Sequence, residues 1–439
     1  MSCTSWRLKG SIRIRGCLAL ALATSALGGA SAFAQAGGAG GASGAGGAGG
    51  ATSTVPSCAD ATLFPNPIII SGSSAFEPTA SYFAVKAAAL TPAVTIIYNP
   101  TGSCAGATAI ASHQALTKTG DVFKTMDSGG KPVKTTCQLD VAPMYADIGI
   151  SDVFFETCGN GAKPATLGDF QGPVQAMLPI VASTNTAIQA ISAEQAAAIW
   201  GCGMAGKVGM FTDDSATSYG ILQRDANSGT QMLMGANIGV PGAMFKGRPN
   251  ASGGAMLTSM TMGAASEPMQ VIGFVAADAY KSALSAASPA PIHALAFRGL
   301  GQTKAYYADS TATAVDRRNV RDGHYVIAAP EHMFAPLTAG APSANAKKFI
   351  DWINGDTMID TSPFTWIDLE ATAGTIPQCA MKVTHTADGG VMKPYAPAKP
   401  CGCYFESKAT GLPAPTGCTV CSATVPCAGG KTCSYGYCE

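Results

Sequence analysis

The sequence predicts an α/β fold built on a parallel sheet, followed by a small disulfide-stapled tail. Three observations carry that prediction. Short apolar runs that end in Gly or Pro alternate with stretches of helical period. Apolar residues make up 47% of the chain and charged residues 12%, enough for a sizeable core at about half the ~25% charge of an ordinary globular chain. Seven cysteines crowd between Cys401 and Cys438, where apolar residues are sparse, so that segment needs staples to hold a shape.

The elements follow in order. "NPIIISG" reads as a buried strand stopped by Gly72, "EPTASYFAVKAAAL" as a helix, "VTIIYN" as a second strand and "AGATAIASHQAL" as a second helix. Residues 121–143, with "DSGGKPVKTTC", read as a loop insertion. "ADIGIS" is strand-like and "VQAMLPIVAS" is a longer apolar run. Ser192 and Gln195 predict a capping box for "AEQAAAIW", with Gly201 past its end. "MQVIGFVA" and "HYVIAA" read as further strands. "NAKKFIDWING" reads as an amphipathic helix with Phe349, Ile350 and Ile353 on one face and Gly355 as its stop. The methionine-rich "MLTSMTMGAASEPM" reads as flexible core or loop.

The N-terminus predicts export. Arg7, Lys9, Arg13 and Arg15 precede the apolar "CLALALATSAL", and "AFA" ends a cleavage site at Ala34. Residues 1–34 are therefore expected as a signal peptide and 35–57, rich in Gly, Ala and Ser, as a flexible linker. Cleavage would leave 23 basic against 27 acidic residues and thirteen cysteines. Cysteines in an exported chain imply an oxidising compartment and disulfides, with one cysteine left over. Zero formal net charge gives no nucleic-acid footprint, and no other run is long and apolar enough to span a bilayer.

Three small-residue loops follow strands and open helices: "SGSSAF" (71–76), "TGSCAG" (101–106) and "NSGT" (227–230). Helix starts leave amides unpaired behind a positive dipole end, and Gly and Ser expose them to an anion. Each loop alone is better explained by plain capping, and it is the three together with an arginine at a fixed offset that point to an anion. Arg224, just ahead of Ser228, Gly229 and Thr230, adds a planar fork of donors suited to a multi-oxygen anion. Its alternative is an ion pair with Asp225 or another surface acid.

The chain resembles the periplasmic phosphate-binding proteins of bacterial ABC importers, the PstS type. Four motifs carry the resemblance, in order from Pro65 to Ile353: "IIISGSSAFEP", "YNPTGSCAGA", "ADIGISDV" and "RDANSGT". "IGFV" (272–275) also sits where the family has a strand. The resemblance implies a two-lobed periplasmic-binding-protein (type II) fold with two hinge strands, near Met177–Pro179 and Asp322–Tyr325. Lobe 1 would take residues 58–177 and 323–400, lobe 2 residues 178–322, and the Cys-rich tail 401–439. It implies a phosphate site in which Ser74 gives a hydroxyl, Ala75 and Phe76 give amides, and Ser103 and Asp152 line lobe 1. Arg224, Ser228, Gly229 and Thr230 would form the clamp of lobe 2.

Asp152 would accept the proton of monohydrogen phosphate, which sulfate lacks at neutral pH; its alternative role is to cap a turn. The sequence departs from the family at Ala75, where many relatives carry a hydroxyl, at Glu77, an acid beside the first loop, and at Cys104, which is expected to pair with Cys137 or Cys158.

The expected function is capture of inorganic phosphate or a similar oxyanion by a monomer, with an ABC permease as its partner and no cofactor. The alternatives are a tethered or secreted oxyanion binder not coupled to transport and, ranked last, a phosphoester hydrolase. Catalysis is not expected. The histidines His113, His293, His324, His332 and His385 lack zinc-ligand spacing, and "GSCAGAT" lacks the Lys of a nucleotide-binding loop.

Overall fold

The computed structural model describes residues 55–439, except 204–219 and the single positions 267, 287 and 414. The expected signal peptide and nearly all of the linker lie outside the described residues. Twelve strands make one continuous sheet: β1 (Pro67–Gly72), β2 (Thr95–Asn99), β3 (Thr119–Met126), β4 (Pro132–Gln138), β5 (Ile148–Ser151), β6 (Leu167–Ala182), β7 (Gly220–Arg224), β8 (Arg248–Asn250), β9 (Val271–Ala276), β10 (Ile292–Ala294), β11 (Ala328–Thr338) and β12 (Ala341–Pro342). Their spatial order is β4-β3-β2-β1-β5-β11-β6-β9-β7-β8, with β10 beside β6 and β12 beside β11.

This order contains two parallel patches, one on each side of the β11–β6 pair. In lobe 1, β1 pairs in parallel with β2 and β5; in lobe 2, β7 pairs in parallel with β9 and β8. Both faces of β1 are buried, which is why "IIISG" is a continuous apolar run rather than an alternating one. The long antiparallel strands β6 and β11 join the patches. β6 pairs with β11 up to Ala176, opposite Ala328, and from Met177 onward pairs with β9. One strand therefore serves both lobes, and the exchange falls at the expected first hinge.

Helices cover the sheet: α1 (Glu77–Ala88), α2 (Ser103–Ala111), α3 (Gly229–Ile238), α4 (Gly253–Ser266), α5 (Ala277–Leu284), α6 (Ala344–Asn354), α7 (Thr365–Ala373) and α8 (Gly402–Thr410). In α6, Phe349, Ile350 and Ile353 are buried, and Gly355 ends the helix in a left-handed conformation. Phe349 meets Phe76 and Phe83 edge to face, locking α1 and α6 together. The capping box of Ser192 and Gln195 forms as its sequence implies.

Two readings are corrected. Residues 121–143 are not a loop: most of them belong to the β3–β4 hairpin, whose Gly-containing turn hid two β-branched strands, and Cys58–Cys137 ties the hairpin down. The methionine-rich segment is helical, with Met256 and Met260 buried. The tail carries three internal disulfides, Cys403–Cys418, Cys421–Cys433 and Cys427–Cys438, while Cys379–Cys401 fastens it to the body. Among the described residues no helix is long and apolar enough to cross a membrane.

A candidate oxyanion site between the lobes

The three small-residue loops converge. After β1, Gly72 turns at φ +144°, and a side chain there would collide with the Ile150 carbonyl of β5. That close approach delivers the loop: the Ser73 amide bonds Ile150 O at 3.0 Å and Tyr98 Oη bonds Ser73 O at 2.5 Å. Ser74 then meets the other lobe, its Oγ accepting from Arg224 Nη2 at 3.3 Å. The Ala75 amide donates to Ser73 Oγ at 3.0 Å. It is therefore committed to its own loop, unlike the donor role expected for it. Phe76 is wholly buried and opens α1, its ring in the core.

The second loop starts α2. Ser103 is buried and its Oγ accepts from the Asp152 amide at 3.3 Å. Cys104 pairs with Cys158 rather than Cys137, which anchors this loop to the segment just past Asp152. The Cys104 amide donates across the lobes to Asn227 O at 3.1 Å.

The third loop supplies the clamp. Arg224 ends β7, 3% exposed, with Nε donating to Asn250 O at 3.2 Å and Nη2 to Ala251 O at 3.4 Å. Burial lowers its pKa, and the charges of Asp225 and Asp152 oppose that. Its guanidinium is thus held by carbonyl oxygens, with the charges of Asp225 and Asp152 nearby. Ser228 caps α3 through its Oγ, which accepts from Gln231 N at 3.4 Å. The amides of Gly229 and Thr230, in the first turn, have no acceptor within the helix. A Cβ on Gly229 would strike Ser103 Oγ and lie 2.9 Å from Asp152 Cβ, so only a glycine lets the start of α3 approach Ser103 and Asp152 this closely.

Asp152 sits at that contact. Thr230 Oγ1 donates to its Oδ2 at 3.3 Å, while Oδ1 is buried with no donor among the described residues. Burial raises its pKa, against hydrogen bonding to Ser73, Glu331 and Thr230 and the charge of Arg224. Glu77 turns away from the loops to Lys134 at 2.5 Å, and burial raises its pKa to about 7.

Sequence reasoning missed Ser73 and Glu331. Glu331 is an acid inside the apolar run "VIAAPEHMFAPL", and that anomaly was the available signal. In the tail, Cys421, Cys427 and Cys438 lie close together, but each is consumed in a disulfide.

Comparison with solved structures finds similar chains. A putative phosphate ABC transporter substrate-binding protein from Clostridium perfringens, with bound phosphate, matches 71% of this chain and 99% of its own at 15% identity and a TM-score of 0.47. An ABC-type phosphate transport receptor from Vibrio cholerae matches 70% and 99% at 15% identity and a TM-score of 0.45. A high-affinity periplasmic phosphate-binding protein bound with phosphate matches 71% and 90% at 11% identity and a TM-score of 0.46. The chain resembles periplasmic phosphate-binding proteins. No family model and no curated protein matches the sequence.

Proposed function

We propose that this protein is an extracytoplasmic solute-binding protein that takes an oxyanion, inorganic phosphate first, between its lobes and delivers it to an ABC importer. The observation that carries the reading is the meeting of Arg224, the start of α3, Ser74 and Ser103 around the buried carboxylate of Asp152. A guanidinium and first-turn amides favour a negative guest. Asp152 repels that guest unless a proton lies between them, which monohydrogen phosphate brings and sulfate does not. In this reading Ser74, Phe76, Ser103, Arg224, Ser228, Gly229 and Thr230 contact the guest, and Ala75 shapes the loop. Six disulfides support residence in an oxidising compartment, the periplasm or the exterior.

Calorimetric titration with phosphate and with sulfate tests this. Wild type is expected to bind one phosphate and to reject sulfate. Arg224→Ala is expected to weaken phosphate binding at least ~100-fold, as loss of a buried charged partner does. Equal affinity for the two anions would remove the role given to Asp152.

A further inference from the structure

Glu331 belongs to β11 at the point where its pairing with β6 shifts register, between Pro330 and His332. Glu331 is wholly buried, and neither of its carboxyl oxygens has a donor among the described residues. The antiparallel pairing of His332 with Ser151 places Glu331 across from Asp152, at the end of β5, so that the two acids face each other, and each carboxyl acts on the other. The other groups facing it are Asp278, which adds a like charge, and Tyr98, with Glu77 beyond; Arg224 reaches Asp152 from the opposite lobe. Two adjoining carboxyls in a dry site cannot both ionise. Burial first, and then Asp152, pushes the Glu331 pKa far upward.

We propose that Glu331 is a specificity-determining positioning residue: as a neutral acid it donates its proton to Asp152 and holds Asp152 as an ionised acceptor for a guest that carries its own proton. This rests on the oxyanion reading above. The proton is assigned to Glu331 because Asp152 has the company that favours charge: Thr230 Oγ1, Ser73 and Arg224. Glu331 has no such company. Without the Glu331 proton, the buried Asp152 would take one up and turn from acceptor into donor. A donor there suits sulfate as well as phosphate, so the discrimination would be lost.

The test is calorimetry with phosphate and sulfate on the full chain, for wild type, Glu331→Gln and Glu331→Leu. The amide of Gln still donates an N–H and carries no charge. It is expected to keep phosphate affinity within about threefold and to keep the preference over sulfate. Leu removes the donor. It is expected to weaken phosphate about tenfold or more and to narrow the phosphate-to-sulfate ratio about tenfold. At alkaline pH, wild type is expected to weaken relative to Glu331→Gln, because only wild type gains a second negative charge there.

An unchanged ratio in Glu331→Leu, or a Gln variant that behaves like Leu, overturns the proposal. If Leu prevents folding, the alkaline comparison of wild type with Gln decides, and identical profiles overturn it. A wild type that binds neither anion overturns the oxyanion reading as well. A discriminating wild type matched by both variants overturns the role of Glu331 alone.

Discussion

Two buried glutamates solve the same problem in opposite ways. Glu406, in α8, receives Arg318 at 2.5 Å and Arg321 at 2.9 Å, and so fastens the tail to the short helix Arg318–Arg321 of the body. Glu331, in β11, has no cation beside it among the described residues, and its charged neighbours are the acids Asp152 and Asp278. A charge sealed by arginines is satisfied and inert. An acid kept neutral by its neighbours leaves a polar surface unspent, and that is the condition a binding site needs. Burial alone therefore does not separate a structural carboxyl from a functional one; the means of neutralisation does.

The comparison breaks most visibly at the seam. Glu406→Ala leaves Arg321 buried without its carboxylate, and should lower unfolding stability by about 3–5 kcal/mol. Phosphate affinity should barely change, as urea unfolding and calorimetry on one sample would check. A large loss of affinity would mean that seam and site are coupled.

A smaller effect sharpens the other side. Asp278 is buried, its Oδ2 has no donor among the described residues, and burial raises its pKa to about 7. A carboxyl with a raised folded pKa contributes stability that is complete below its unfolded value and is lost as pH rises through the folded one. Between about pH 4 and 7, wild type should therefore lose stability that Asp278→Asn does not, by a few kcal/mol at most. Parallel denaturation curves over that window would refute the assignment. Ser192→Ala, remote from both regions, should cost about 1 kcal/mol through its lost cap and leave both pH dependence and anion binding alone, which makes it the control.

Much of this was legible in the sequence, for physical reasons. Strands buried on both faces, such as Ile68–Ile70, announce themselves as apolar runs. Helix α6 does so through its stripe and its terminal glycine. Loops that bring backbone amides to a guest must be small, so Ser74, Ser103 and Ser228–Thr230 stood out, and the structure gathers them. The β3–β4 hairpin was obscured because its turn carries the Gly and Asp of a loop. The first half of β6, "LGDFQG", was obscured by its glycines and by Asp169 and Gln171, half-buried and exposed in the pairing with β11. The Ala75 amide looked available because its acceptor is a neighbouring side chain, and Glu331 meant little until β5 and β11 were paired.

Where β6 changes partners, Tyr325 Oη donates to Met177 O at 2.6 Å and the Met177 amide donates to Ile327 O at 2.9 Å. The two crossing segments are thus clasped to each other at the pivot. We expect the halves to swing about one axis, like a door hung on two pins in line, with sideways twisting suppressed. Tyr325→Phe would unpin one of them, and X-ray scattering from the unliganded protein would then record a broader spread of shapes; an unaltered profile would show that the clasp does not guide the swing.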